Sequence, residues 1–444
     1  MKLARLAALL ALPLAAAAEP AAPPQKPKLV VVISVDQFSA DLFTQYRQRF
    51  DGGLKRLSQG VVFPMGYQSH NATETCPGHS TILTGSHPAR TGIIANNWFN
   101  LGAARDDKNV YCSEDERIPG STHDNYTVST SHLRVPALGD YMKRADPRSR
   151  VAVAAGKDRA AIMMGGFGPD QRWYWNGKEY TGTGASKPAI VDTVNRDVAD
   201  GLGRPREARS LPGVCEPQSR AVAVAGTSRS IGDGRLAREA GDRNAFRASP
   251  DFDRATLALG EGLRREMKLG EGPATDLLIL GMSATDYVGH TFGTQGSEMC
   301  IQLMALDEAL GDFFKRLDAT GIDYLVMLTA DHGGLDLPER AREHGAPDAQ
   351  RVDPALNPGA MGEALGKRLG LKGPILLGDG AFGDMYVDRK LSPAQRARAA
   401  REAVAAYKRH PQVAAVFTHA ELLAAKAPTG SPDTWSLVDR AKAS

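Results

Sequence analysis

The sequence predicts an α/β protein with a mostly parallel sheet flanked by helices, plus a smaller α+β region. Three observations predict it. Short, almost purely apolar runs recur along the chain, as in strands buried on both faces of a sheet. Helical patterns separate them, as parallel strand pairing requires. The runs end in carboxylates or imidazoles, and open α/β sheets bind ligands beyond those strand ends.

The elements follow in order. MKLARLAALLALPLAAAAEP carries Lys2 and Arg5, then an apolar stretch, then small residues. This is the pattern of a secretory signal over residues 1–18, cleaved after Ala18. The apolar stretch is short of the roughly 20 residues a membrane span needs, and no other segment is predicted to span. Residues 19–27 form a Pro-rich linker. The expectation is export to a periplasm or to the outside. The four cysteines (Cys76, Cys112, Cys215 and Cys300) can oxidise there, with three pairings open. A net charge of +3 and the absence of a Lys/Arg run exclude nucleic acid as the expected partner.

KLVVVISVDQF predicts a strand from Leu29 to Val35 that ends in Asp36. A helix ending near Lys143 precedes RVAVAAG, a second strand over 150–156. RWYWNGKEY predicts a hairpin turning at Asn176-Gly177. Residues 200–250, rich in Arg, Gly and Ser, predict an irregular excursion. The helical ATLALGEGLRREMKLG leads into ATDLLILGM, a strand over 274–282. Leu303, Leu306, Leu310 and Phe314 mark an amphipathic helix. It feeds DYLVMLTADHGG, another strand with a polar end. The core is expected over 28–374. Residues 375–444 (ILLGDG, an Ala/Arg helix, then VAAVFT) predict the smaller α+β region. There is no internal repeat.

Candidate chemistry gathers at the strand ends: Asp36, Asp286 with His290, and Asp331 with His332. Singly, each reads as a cap or a satisfied polar residue. Together they supply the ligand types that zinc uses, and a two-metal site needs several of them converging. Asp286 and His290 share one side of a helical turn. In NATETCPGHSTILTG (71–85), Pro77-Gly78 reads as a turn into a helix over HSTILTG, with Thr75 at its mouth. Free N–H groups at such a mouth attract phosphate. A metal-activated Thr75 hydroxyl can attack phosphorus there; alone, Thr75 reads as an N-cap. Cys76 is a rival nucleophile without an assignable triad. GHSTI fails as a nucleophile elbow because position 82 is Ile.

TETCPGHSTILTG followed by HPARTGIIANNWF resembles the nucleophile region of the alkaline phosphatase superfamily. Within it, the type I phosphodiesterase/nucleotide pyrophosphatase branch and the threonine-type, PafA-like alkaline phosphatases are most similar. The resemblance runs from about residue 28 to 335. It implies two zinc ions, one held by Asp36, Asp331 and His332 with Thr75, the other by Asp286 and His290. It implies a phosphorylated Thr75 intermediate. Asn96 and a backbone N–H near Thr75 are expected to donate to a phosphoryl oxygen. Lys157 and Arg159 follow the second strand, and residues two apart in an extended segment share a face. Both are expected to reach one phosphate, which favours monoesters over diesters. Small phosphate esters are therefore the expected substrates.

The same site serves a phosphodiesterase or nucleotide pyrophosphatase as the alternative reading. A metal- or phosphate-binding fragment without turnover is another. A sulfatase is disfavoured because Cys76-Pro77-Gly78 lacks the required Arg, and no G-x-G-x-x-G supports a dinucleotide site. The family's C-terminal third histidine ligand has no match. After His332 only His344, His410 and His419 remain. His344 is a possible substitute, although its loop setting reads as a surface histidine. The expectation is a truncated chain whose core is incomplete after residue 444.

Overall fold

The computed structural model describes residues 26–64 and 66–444. The expected signal segment and most of the linker lie outside the described residues. The central sheet has six strands: β1 (Leu29–Val35), β4 (Val151–Ala155), β5 (Gln171–Trp175), β6 (Tyr180–Gly184), β7 (Asp276–Met282) and β8 (Tyr324–Thr329). Their order is β8-β1-β7-β4-β5-β6, with β5-β6 the antiparallel pair and the rest parallel. A separate two-stranded ribbon joins β2 (Asn97–Phe99) to β3 (Asn109–Tyr111).

Every residue of β4 and β7 is buried, as their unbroken apolar sequences require. Side chains alternate between two packed layers. Val31, Ile33, Leu278 and Leu280 face α4 (Ala189–Leu202), α5 (Pro250–Glu266) and α7 (Ser297–Asp318). Val32, Val153, Leu277 and Ile279 face α1 (Thr75–Thr84), α2 (Leu138–Ala145) and α3 (Asp158–Gly165). The helix α6 (Ala284–Phe292) follows β7 directly. All parallel strands therefore end on one rim, where α1, α3 and α6 begin.

The expected hairpin forms: Asn176 Oδ1 accepts from the Lys178 and Glu179 N–H groups, and Gly177 takes a left-handed backbone (φ 95°). The 200–250 segment holds only short elements. Near the C-terminus, α8 (Pro358–Leu369), the ribbon β9–β10 (Leu376–Leu377 with Tyr386–Val387) and α9 (Pro393–Arg409) enclose their own apolar cluster. VAAVFT forms no strand; Val413 and Val416 only pack against that cluster. Two disulfides form, Cys76–Cys112 and Cys215–Cys300. No described helix is long and apolar enough to cross a membrane.

Candidate active site

Four ligand-type side chains converge at the strand ends. Asp36, fully buried, ends β1, and its N–H extends the sheet by donating to the Met282 carbonyl at 2.9 Å. Asp286 lies in the first turn of α6, and Asp331 with His332 follows β8. His332 Nε2 lies 3.3 Å from Asp36 Oδ1, 3.6 Å from Asp331 Oδ2 and 3.9 Å from Asp286 Oδ1. His332 Nδ1 is 2.7 Å from the Gly333 carbonyl. A carbonyl only accepts, so Nδ1 carries a proton and Nε2 is the ring nitrogen that faces the carboxylates.

Gln37 binds this group together. Its N–H donates to Asp331 Oδ1 (3.1 Å) and its Nε2 to Asp286 Oδ1 (3.0 Å). Its backbone is left-handed at φ 65°, an unusual state for a residue other than glycine.

Thr75 is the first residue of α1, after Glu74 at the cap position, and it is 3% exposed. Glu74, with extended backbone, holds the N-cap position, so Thr75 is not the N-cap. Thr75 Oγ1 lies 3.5 Å from His332 Nε2 and accepts from Lys157 Nζ at 3.4 Å. Lys157 Nζ also lies 2.7 Å from Asp36 Oδ2 and 2.5 Å from Asp286 Oδ2. Burial disfavours its charge, but the two carboxylates outweigh burial and hold the ammonium above its ordinary pKa. Burial likewise opposes charge on His332, yet Asp331 and Asp36 raise it to about 10. This is a field that a divalent cation satisfies as well as a proton does.

The residues fit such a cation. The buried Asp36 and Asp331 carboxylates face one another's charge across the site. Among the described residues they are offset only by the Lys157 ammonium (2.7 Å from Asp36 Oδ2) and by the His332 and His79 rings. Two sets place their donor atoms within 4.8 Å of one another: Asp36, Asp286 and His332, and Asp36, His79 and Asp331. Oxygen and imidazole donors of this kind suit zinc. The grouping differs from the sequence expectation, with Asp36 common to both sets. His290 stands at the rim with its side chain 71% exposed, 3.2 Å from Asp286 Oδ1 on the same helix face.

Three details depart from the sequence reading. Lys157 is the extended cap residue of α3, but Arg159 already sits in the first helical turn. The two cations therefore do not alternate along a strand. Lys157 turns to the carboxylates, and Arg159 Nη1 donates to the Tyr111 hydroxyl at 3.1 Å. Second, the Cys76 N–H donates to Asn96 Oδ1 at 2.8 Å and is not free for a phosphoryl oxygen. That bond orients the Asn96 amide, whose Nδ2 donates to nothing among the described residues. Third, His344 is exposed, 3.5 Å from Arg220, and does not join the site.

Sequence reasoning missed Gln37 and His79. His79 Nδ1 lies 2.9 Å from the Thr75 carbonyl and 2.9 Å from Asp331 Oδ2. Its position one helical turn after Thr75 was the available signal.

The model of the type I phosphodiesterase/nucleotide pyrophosphatase family matches residues 30–372. The chain belongs to this family. Among its relatives, alkaline phosphatase PhoK of Sphingomonas sp is 54% identical over 422 residues, covering 94% of this chain and 75% of PhoK. Alkaline phosphatase PhoD of Zymomonas mobilis is 49% identical over 422 residues, covering 94% and 73%. The crystal structure of alkaline phosphatase PafA superposes with a TM-score of 0.76 at 23% identity, over 93% of this chain and 82% of PafA. That likeness shows the fold, a type I phosphodiesterase-family α/β core of PafA-like architecture.

Proposed function

We propose that this family member is an exported phosphate monoesterase, an alkaline phosphatase, with Thr75 as nucleophile. Residues 28–374 form the catalytic core. One observation carries the reading: Lys157 Nζ and His332 Nε2 both lie within 3.5 Å of the Thr75 hydroxyl, beside the Asp36 carboxylate that both also contact. Names of relatives at 54% and 49% identity support it.

Thr75 Oγ1 attacks phosphorus in line with the leaving alcohol. The P–O bond to that alcohol breaks, and the leaving oxygen takes up a proton as the Thr75 hydroxyl sheds one to solvent. The phosphate stays on Thr75, and hydrolysis by water then returns free phosphate and the Thr75 hydroxyl. Asp36, Asp331 and His332 would hold one zinc, and Asp286 with His290 the other. When bound, the ions acidify the hydroxyl and neutralise phosphoryl charge. Asn96 Nδ2 donates to one non-bridging oxygen. Lys157, 3.4 Å from the Thr75 hydroxyl, and Arg159 would supply positive charge to the oxygen that is charged in a monoester and esterified in a diester. Two cations there favour the dianion.

The test compares p-nitrophenyl phosphate with its bis ester. A higher kcat/KM for the monoester is expected. It should fall at least about a thousandfold in Thr75→Ala, and the preference should shrink in Lys157→Ala and Arg159→Ala. A wild type that prefers the diester overturns the monoesterase reading.

A further inference from the structure

Asp158 takes no part in the chemistry above, yet it is only 9% exposed and encircled by hydroxyls. Tyr111 donates to its Oδ1 at 2.8 Å, Tyr126 to its Oδ2 at 2.9 Å, and Ser113 to Oδ2 at 3.4 Å. The two tyrosine rings pack with centroids 4.6 Å apart. Tyr111 has one proton and commits it to Asp158. The oxygen lone pair is then what faces Arg159 Nη1 at 3.1 Å. Burial pushes the Tyr111 phenol up to about 12, so it keeps that proton in alkaline solution.

The choice of partner matters. Among the described residues the one side-chain hydrogen bond of Arg159 goes to the Tyr111 hydroxyl, and its buried Nε has no acceptor. A carboxylate in Tyr111's place would aim the guanidinium equally well, but it would cancel much of the charge that a substrate needs. A phenol aims it and leaves the charge intact. The phenol is itself fixed relative to the nucleophile. Cys112, the next residue, is bonded to Cys76, the residue after Thr75. The Cys112 N–H also donates to the Asn96 carbonyl at 2.9 Å.

We infer that Tyr111 is a specificity-determining positioning residue, holding Arg159 through a neutral hydroxyl against the oxygen that distinguishes a phosphate monoester from a diester. This rests on the reading of Arg159 given under the proposed function.

The test is Tyr111→Phe, which removes one oxygen and keeps the ring packing. Its kcat/KM for p-nitrophenyl phosphate should fall about tenfold or more, as loss of a hydrogen bond to a charged group does. Hydrolysis of the bis ester should stay within about twofold. The inhibition constant for inorganic phosphate should rise with the monoester loss. In an Arg159→Ala background, Tyr111→Phe should add nothing further, since it acts through the residue already removed. Asp158→Asn, which disturbs the acceptor that orients the phenol, should reproduce the selective loss. Equal losses on both esters, an additive loss without Arg159, or an unchanged monoester rate each overturn the inference. If wild type prefers the diester, the monoesterase reading fails. The phosphate-inhibition arm then still decides whether Tyr111 acts through Arg159.

Discussion

Gly78 shows how one side-chain choice lets α1 reach the site. A methyl group there would run into the Asp331 backbone carbonyl and its Cβ, and these atoms cannot yield cheaply. Glycine thus lets the nucleophile helix close directly on the strand end that carries Asp331 and His332. Gly78→Ala should push α1 outward and lower kcat/KM by about a hundredfold, because displacements near 1 Å at a reacting group cost that much. The melting temperature should fall alongside. Steady-state kinetics and calorimetry check both, and an active, stable variant would mean the helix has slack. The sequence predicts Pro77-Gly78 as a turn into the helix, whereas the helix begins at Thr75 and includes both. The residue was legible, but its reason was not, since a close approach between residues 78 and 331 leaves no local pattern. Asp36, Asp286, Asp331 and His332 were legible because each follows an apolar strand. Gln37 and Tyr111 were not, and His79 offered only its spacing of one helical turn from Thr75. Their work is defined by partners distant in sequence or by a turn geometry that only the folded chain displays.

At the scale of elements, α6 must hold Asp286 in register, and its own cap residue Ser283 makes no side-chain cap. Asp253 of α5 does that work across the layer. Its Oδ1 accepts from the Ala284 N–H at 3.0 Å and its Oδ2 from Gln302 Nε2 at 2.8 Å. Burial raises the Asp253 pKa from 3.8 to about 7, more than these bonds and the N-terminus of α6 lower it, with the Asp36 charge adding a little. The folded chain therefore binds a proton between about pH 4 and 7 that the unfolded chain has released. Stability falls as pH rises through that window, and the full cost is felt above pH 7. Asp253→Asn removes the charge and keeps an acceptor for Ala284. Gln302 Oε1, buried without a donor, can turn to receive the new amide. The variant should melt higher than wild type at pH 8, with the gap closing toward pH 4. A gap that is constant with pH would show that Asp253 does not titrate there. The helices and fully apolar strands of this core were readable because their patterns run over many residues. The β2–β3 ribbon, with three residues per strand, was too short to register, although it carries Tyr111.

For the whole molecule, the two disulfides divide stability from catalysis. Cys76–Cys112 spans 36 residues and Cys215–Cys300 spans 85. Restricting the unfolded chain over such loops is worth about 4 and about 4.5 kcal/mol respectively in the chain-entropy picture. The bridges differ in what they touch. Cys215–Cys300 ties the irregular excursion to the first turn of α7 inside the large apolar layer, and neither cysteine adjoins a site residue in sequence. Cys76–Cys112 joins the residue after Thr75 to the residue after Tyr111, so it sets the span between the hydroxyl and the phenol that holds Arg159. Replacing Cys215 and Cys300 together by Ala should lower the melting temperature by several degrees and leave kcat/KM for p-nitrophenyl phosphate within about twofold. Replacing Cys76 and Cys112 by Ala should lower both, with KM rising more than kcat falls, since the phosphate contacts loosen first. A thiol reductant should reproduce the sum of the two variants in the wild type and do nothing further when all four cysteines are replaced. Equal activity loss in the two double variants would contradict this division, because each bridge would then act only through global stability.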